Sequence, residues 1–444
     1  MIEKFVVIGG NVLQGTVTVS GAKNAALKAL VAACLTEDEV IIHNVPLISD
    51  FFEMVAVIKG LRGSVVLEDH TVRIQMKQFS SSTISLEKTA KSRTSAMLMA
   101  PLLARTNEAI IPNPGGCRLG ARPIDRHIEG LKQMQAKIIY HSEDGYFHAK
   151  TDGLQGTTYR FDKNTHTGTE TLIIAAAMAK GITILQNAAL EPEIDDLIAL
   201  LNAMGAKISR SAHREITIEG VEKLHGAEFT ISPDRNEIVT FAIGAILTKG
   251  DVFISHVKVP DLKEFLEKLE EAGGGYEEKD GGMRFFYKGD LKPTNITTTV
   301  YPGFMTDWQA PWAVLMTQAN GTTIIHETVF ENKLGYANEL KKMGAEITFF
   351  NPEIENKQEV YNFNLADDKP EYYHAISISG PTPLHDAVVT MADIRAGATV
   401  VLAALAAKGE TIISGVEKLD RGYENFETRL ASLGANIKRI QEEV

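Results

Sequence analysis

LTEDEVIIHNV (35–45), ARTNEAIIPNP (104–114), MAKGITILQNA (178–188), LTKGDVFISHV (247–257), TQANGTTIIHET (317–328) and AAKGETIISGV (406–416) share one pattern. Each leaves a small-residue apolar segment, passes a Gly or polar turn and enters a β-branched run. A second helical segment follows, and it closes on LRGSV (61–65), MQAKI (134–138), MGAKI (204–208), AGGGY (272–276), MGAEI (343–347) or LGANI (433–437). The units start near Gly21, Arg93, Gly168, Arg235, Asp307 and Asp393, roughly 67–86 residues apart, a period too long for a common solenoid repeat. Their first helices are Ala-rich and apolar on every side, which predicts burial in a core. The second helices carry charge, as in EFLEKLEEAG (264–273), and should cover that core. The pattern predicts an α/β (α+β) protein of six βαβαββ-like units.

Three units make about 210 residues, an ordinary domain size. Two similar domains are therefore expected: 21–232, and 1–20 with 233–444, the first strand over 5–20 joining the latter. The Asn-, Glu-, Lys- and Asp-rich stretch 351–373 interrupts the fifth unit and is expected to be a surface insertion.

At 444 residues, 44% apolar and 23% charged, the chain has a globular composition with room for more than one core. Lys180, Lys249 and Lys408 cut its best apolar runs below the ~18 residues a membrane crossing needs. MIEKFVVIGG puts Glu3 ahead of a very short apolar run, which does not read as a signal peptide. Two cysteines, Cys34 and Cys117, exclude a disulfide framework and a cysteine-rich zinc site, and they predict a reducing, cytoplasmic setting. A formal charge of −12 argues against nonspecific nucleic-acid binding. An anionic small molecule stays open, because a few cations in a cleft set their own field.

Aligning the units puts polar residues at the starts of the first helices: Lys23 and Asn24, Arg93, Thr167 to Glu170, Arg235 and Glu237, Asp307, and Arg395. Helix N-termini offer unpaired N–H groups to anions, and Lys or Arg there completes a phosphate or carboxylate site. A solvated surface is the plain alternative for any one of them. Four cations recurring where the helix dipole disfavours them is poorly explained by chance.

A second cluster is PGGCRLGARP (114–123), whose three glycines in six positions predict a mobile loop. Arg118 and Arg122 flank Cys117 and should make its thiol more acidic. Cys34, in the Ala-rich VAACL, reads as a buried apolar residue. Asp307 has a competing structural reading, with Thr306 as a helix N-cap and Asp307 as a first-turn acid. Asp420 to Glu424 could equally be a helix entry with charge pairs.

SGAKNAAL (20–27), PGGCxxGARPID (114–125), TGTE (167–170), EPEI (191–194), PDRxE (233–237), TDWQA (306–310), ETVFEN (327–332), DxRA (393–396) and LDRGYE (419–424) occur in this order along nearly the whole chain. Together they resemble the signatures of the UDP-N-acetylglucosamine 1-carboxyvinyltransferase family. The resemblance implies the two-domain enolpyruvyl transferase fold, three repeats per domain with threefold pseudosymmetry, hinged about a cleft. It implies transfer of the enolpyruvyl group of phosphoenolpyruvate to the sugar 3′-hydroxyl, the first committed step towards peptidoglycan, with no metal or organic cofactor.

Cys117 would by resemblance protonate C3 and be the thiol alkylated by fosfomycin, while Asp307 would act as base. Lys23, Asn24, Arg93, Arg122, Arg395 and Arg421 would bind phosphoenolpyruvate, with Lys23 and Arg395 also catalytic. The sugar nucleotide would be held by Asn24, Arg93, Arg122, Pro123, Ile124, Asp125, Arg126, Asn164, Thr165, His166, Thr167, Gly168, Asp307 and Val329.

Five features depart from the family's usual pattern, one being Trp308 and Pro311, which alter the helix after Asp307. Arg126 stands where Leu is usual, His166 where a small apolar residue is common, and Lys333 where Arg is usual; the 351–373 stretch is long. His166 is expected to be a loop histidine facing solvent, the alternative being a pH-sensitive donor to the ligand. The rival activities are a shikimate-type enolpyruvyl transferase, in which PGGC and ARPID are not expected, and a catalytically idle UDP-sugar-binding paralogue.

Overall fold

The computed structural model describes residues 2–86, 93–113 and 124–442, and for Arg93 the backbone alone. The described residues form two compact units, one of 2–20 with 233–442 and one drawn from 21–232. The chain passes between them at Ser20–Gly21 and at Ser232–Pro233.

Each unit holds three small sheets, and five of the six share one plan: a parallel edge strand, then three strands paired antiparallel. In the 21–232 unit, Thr158–Arg160 runs parallel to Ile182–Gln186, which pairs antiparallel with Glu215–Glu219 and, through it, Lys207–Ala212. The sixth sheet, Glu108–Pro112, Tyr146–Lys150 and Lys137–His141, replaces the edge strand by a single parallel bridge from Thr83 to Ile110.

Edge strands at the crossings come from far along the chain. Glu228–Thr230 lies parallel to Val40–His43, and Gln14–Thr18 lies parallel to Asp251–Ser255. Ile2–Ile8 sits between Glu410–Ser414 and Asn436–Glu442, pairing Ile2 with Glu442, so a strand from before the first repeat completes the sheet of the last. The expected single strand over 5–20 is therefore corrected. Gly9, Gly10 and Asn11 interrupt it, and its halves serve different sheets.

The first helices form the cores. Every residue of Arg235–Leu247 and of Gln309–Met316 is buried, and these two pack on each other and on Ile394–Ala406. In the other unit Met99–Thr106 packs on His166–Ala176, and Lys23–Ala33 on Pro192–Ala203. Burying a Leu or Ile side chain contributes about 1.5–3 kcal/mol, and these helices share each core with the inward faces of the strands and second helices. The second helices bury one stripe only, as Phe265, Leu266 and Leu269 do within Lys263–Glu271.

The recurring MGA motif ends the second helix with a left-handed residue. Gly205 has φ +98°, and Ala206 N–H donates back to Leu201 O at 2.9 Å. Glycine carries no Cβ penalty in that conformation. In LRGSV and MQAKI the same place falls to Arg62 (φ 70°) and Gln135 (φ 69°).

The 351–373 stretch is not wholly superficial. It links the paired strands Glu346–Phe350 and Ala375–Gly380, and it buries Tyr361 and Phe363. Their rings stack at 4.9 Å, and Tyr361 packs at the same distance on His374. The polar composition hid these inward-facing rings. Among the described residues no helix is long and apolar enough to cross a membrane.

Candidate active site

Cys117, Arg118, Arg122 and Pro123 lie outside the described residues. The remaining candidates divide between the two units.

In the 21–232 unit, Lys23 is the first residue of Lys23–Ala33, a start with no side-chain cap. Its ammonium lies 2.7 Å from Asp50 in Ser49–Gly60, and both side chains are nearly buried. A cation at a helix N-terminus opposes the dipole; Asp50 offsets that and fixes the lysine's direction. Asp50 was not legible in advance, because an acid in the first turn of a helix is ordinary. Asn24 is half-buried beside Lys23, and Arg93 opens the 3-10 helix Arg93–Leu98.

Ile124 is buried at the N-cap of Asp125–Gln133, which leaves Asp125 exposed at the first turn. Arg126 donates from Nε to Asp162 at 3.0 Å. His127 Nε2 meets Thr167 Oγ1 at 3.0 Å and ties this helix to 164–168. Asn164 donates to Asn187 O at 3.1 Å, and Thr165 caps His166–Ala176 by accepting from Gly168 N–H. A Cβ on Gly168 would lie 2.5 Å from Thr165 Cγ2, so the tight cap requires glycine.

The expectation of a solvent-facing loop histidine at 166 is corrected. His166 is the first residue of this helix, with 21% of its side chain exposed, and its Nε2 lies 3.2 Å from the buried Glu170 carboxylate. Lys28 lies 3.2 Å from the other Glu170 oxygen. Burial works against a proton on His166, but Glu170 and Glu191 outweigh it and raise its pKa. The spacing of four residues on one helix face was available as a signal.

In the other unit Asp307 lies 2.8 Å from Lys333 Nζ and 3.8 Å from Arg395 Nε. The capping reading of Thr306 and Asp307 is overturned. The helix begins at Gln309 with no side-chain cap, and Pro311 falls in its first turn, where a missing N–H costs nothing. Thr306 instead donates at 2.7 Å to Glu327, whose same oxygen accepts from Gln309 Nε2 at 2.8 Å. The other Glu327 oxygen accepts from the N–H groups of Val329 (2.7 Å) and Phe330 (2.9 Å). Burial pushes the Glu327 pKa up, against the pull of Lys333 and these donors. One buried carboxylate thus locks the Asp307 turn to the Val329 turn, a role its place in ETVFEN did not disclose.

Arg395 follows the Asp393 cap, which accepts from the N–H of Arg395 at 2.8 Å and of Ala396 at 3.0 Å. Its guanidinium lies over the Tyr423 ring at 5.3 Å. Burial opposes its charge, but Tyr423, Asp307 and Asp234 hold its pKa above the ordinary value. Arg421 is half-buried nearby in sequence. Asp420 forms a bidentate pair with Arg439 at 2.7 and 2.8 Å, a structural role. Asp307, Lys333 and Arg395 make a carboxylate fixed between two cations.

Solved structures share this fold. The enolpyruvyl transferase NikO from Streptomyces tendae superposes with TM-score 0.87 at 22% identity, covering 100% of both chains. EPSP synthase from Acinetobacter baumannii gives 0.74 at 18% identity, over 99% of this chain and 100% of that one. The family profile of EPSP synthase (3-phosphoshikimate 1-carboxyvinyltransferase) matches residues 7–430. The profile match, over most of the chain, places it in the EPSP synthase family, and its fold is that of enolpyruvyl transferases.

Nearer relatives narrow the class. The UDP-N-acetylglucosamine 1-carboxyvinyltransferase of Acidobacterium capsulatum is 45% identical over 99% of this chain and 96% of its own length. Those of Koribacter versatilis and Magnetococcus marinus are each 42% identical, over 99% of this chain and 97% and 100% of theirs. The chain belongs to the UDP-N-acetylglucosamine 1-carboxyvinyltransferase family.

Proposed function

We propose that this enzyme transfers the enolpyruvyl group of phosphoenolpyruvate to the 3′-hydroxyl of UDP-N-acetylglucosamine, in the cytoplasm, as the first committed step of peptidoglycan synthesis. Asp307 takes the hydroxyl proton as the oxygen bonds to C2. Cys117 gives a proton to C3, leaving a tetrahedral intermediate. Loss of a proton from C3 and of phosphate from C2 then re-forms the C2–C3 double bond and gives the enol ether product. Lys23, Arg93, Arg122, Arg395 and Arg421 bind the phosphate and carboxylate of the donor and stabilise charge that shifts during addition and elimination. Asn24, 122–126, 164–168 and Val329 hold the sugar nucleotide. Cys117 is also the thiol that fosfomycin alkylates.

The observation that carries this reading is Asp307 held between Lys333 and Arg395 on a framework fixed by Glu327. The relatives' shared name selects the acceptor. Phosphate release from phosphoenolpyruvate should require UDP-N-acetylglucosamine. Release with shikimate 3-phosphate and none with the sugar nucleotide would overturn the assignment.

A further inference from the structure

The hairpin of Lys137–His141 and Tyr146–Lys150 carries a side-chain cluster that the transfer reaction does not use. His141 pairs with Tyr146 across the ladder, which places His148 two residues on and on the same face. Their rings stack with centroids 4.2 Å apart. Asp144, in the turn, accepts from His148 Nε2 at 2.8 Å through one oxygen and from Tyr146 N–H at 2.9 Å through the other. One ligand atom from each of His141, Asp144 and His148 lies within 4.8 Å of the others.

We infer that His141, Asp144 and His148 bind a zinc-class divalent transition-metal ion. Two imidazoles and one carboxylate form a donor set for Zn²⁺, Ni²⁺ or Cu²⁺, and imidazole discriminates against Mg²⁺ and Ca²⁺. Ligand bonds of about 2.0–2.1 Å put tetrahedral donor atoms roughly 3.3 Å apart. The cluster contracts to that spacing by small side-chain rotations, His141 and Asp144 being exposed and His148 half-buried. The ion replaces the Asp144–His148 hydrogen bond with coordination to both, and water completes the shell.

The turn also anchors a neighbouring segment. Gly145 O accepts from Asn113 N–H at 3.0 Å, and Asn113 directly precedes the sequence that carries Cys117. Tyr146 Oη accepts from Leu86 N–H at 3.0 Å. An ion on the hairpin therefore stiffens a turn to which two other segments are tied. The site does not depend on the transferase reading, since it uses none of its residues.

The test is calorimetric titration of the chelator-treated full chain with ZnCl₂, with Co²⁺ absorption as a second readout. One saturable site is expected in the wild type and in Cys117→Ser, with no heat from MgCl₂ at the same concentration. Losing a group that merely supports a ligand costs 10–100-fold in metal affinity, so His148→Ala should weaken binding at least about tenfold. His141→Ala/His148→Ala should abolish it. The Co²⁺ spectrum should lack the near-ultraviolet charge-transfer band of a thiolate ligand. No saturable Zn²⁺ binding, or binding unchanged in the double variant, overturns the inference. So does a thiolate band that Cys117→Ser removes, which would assign the ion to the cysteine.

Discussion

Lys333 holds Asp307 across a 2.8 Å ion pair, and the lysine is almost fully buried while the acid keeps 23% of its side chain exposed. In the proposed reaction the acid meets the substrate hydroxyl, and the lysine governs where it points. Lys333→Met should lower kcat for phosphate release by about 10²-fold, the lower end of a general base's contribution. Lys333→Arg keeps the charge and should stay within about tenfold of wild type. KM for the sugar nucleotide should change less than kcat. Because breaking a buried pair can cost 3–5 kcal/mol, circular dichroism should first confirm that the methionine variant is folded. Wild-type kcat in a folded Lys333→Met variant would show that the pair does not position the acid.

His166 and Glu170 predict a pH-dependent stability. His166 has a folded pKa raised above its usual value. Its contribution is thus fully present below the unfolded pKa of about 6.5 and is lost as pH rises through the folded pKa. In urea unfolding, wild type should exceed His166→Asn by roughly 1 kcal/mol near pH 6, a partly exposed ion pair being of that order. The gap should close by pH 9. A gap that widens with pH would mean that the neighbouring carboxylates do not hold the proton.

Gln135 and Arg62 occupy left-handed positions that glycine fills in the other second-helix ends. A left-handed L-residue costs roughly 1–2 kcal/mol, partly offset in the comparison by glycine's greater entropy loss of about 0.5–1 kcal/mol. Gln135→Gly should therefore stabilise the protein by about 0.5–1 kcal/mol, seen as a higher urea midpoint at unchanged m-value. Gly434→Ala, at φ +103° with Val12 O 3.1 Å from the added Cβ, should destabilise it. Opposite signs would show that side-chain contacts outweigh backbone strain at these caps.

The repeat was legible because burial writes the same apolar pattern at each first helix, and Ala-rich stretches such as 394–406 admit little else. The exchange of edge strands was not. Gln14–Thr18 and Glu228–Thr230 are short, and Gln14 pairs with Asp251, a contact that local propensity cannot encode. The candidate positions were legible where a cation stood at a helix start, as at Lys23 and Arg395. Their setting was illegible where the partner stood on another element: Asp50 for Lys23, Lys333 for Asp307, and Glu327 for the turns of Thr306 and Val329. Thr306 looked like a cap because Ser and Thr commonly are, but a buried carboxylate 21 residues on competes for its hydroxyl.

The two cysteines give the most decisive experiment. Cys34 is fully buried at the end of Lys23–Ala33, with its Sγ 3.4 Å from Leu30 O and its carbonyl accepting from Arg105 at 3.0 Å. Burial pushes its thiol up to about 12, so almost no thiolate exists at neutral pH. Cys117 stands between Gly116 and Arg118 in a sequence rich in glycine and arginine, where cations favour the thiolate. An epoxide phosphonate such as fosfomycin should therefore label Cys117 and leave Cys34 untouched. Cys117→Ser keeps the size of the side chain but replaces the donor with a far weaker acid, and should lose about 10²-fold or more in kcat. Cys117→Asp should retain turnover, because a carboxylic acid can also deliver the proton, while escaping the label. Peptide mass spectrometry after treatment, read beside phosphate release, separates the outcomes. A label on Cys34, or full activity in Cys117→Ser, would remove the thiol from the chemistry.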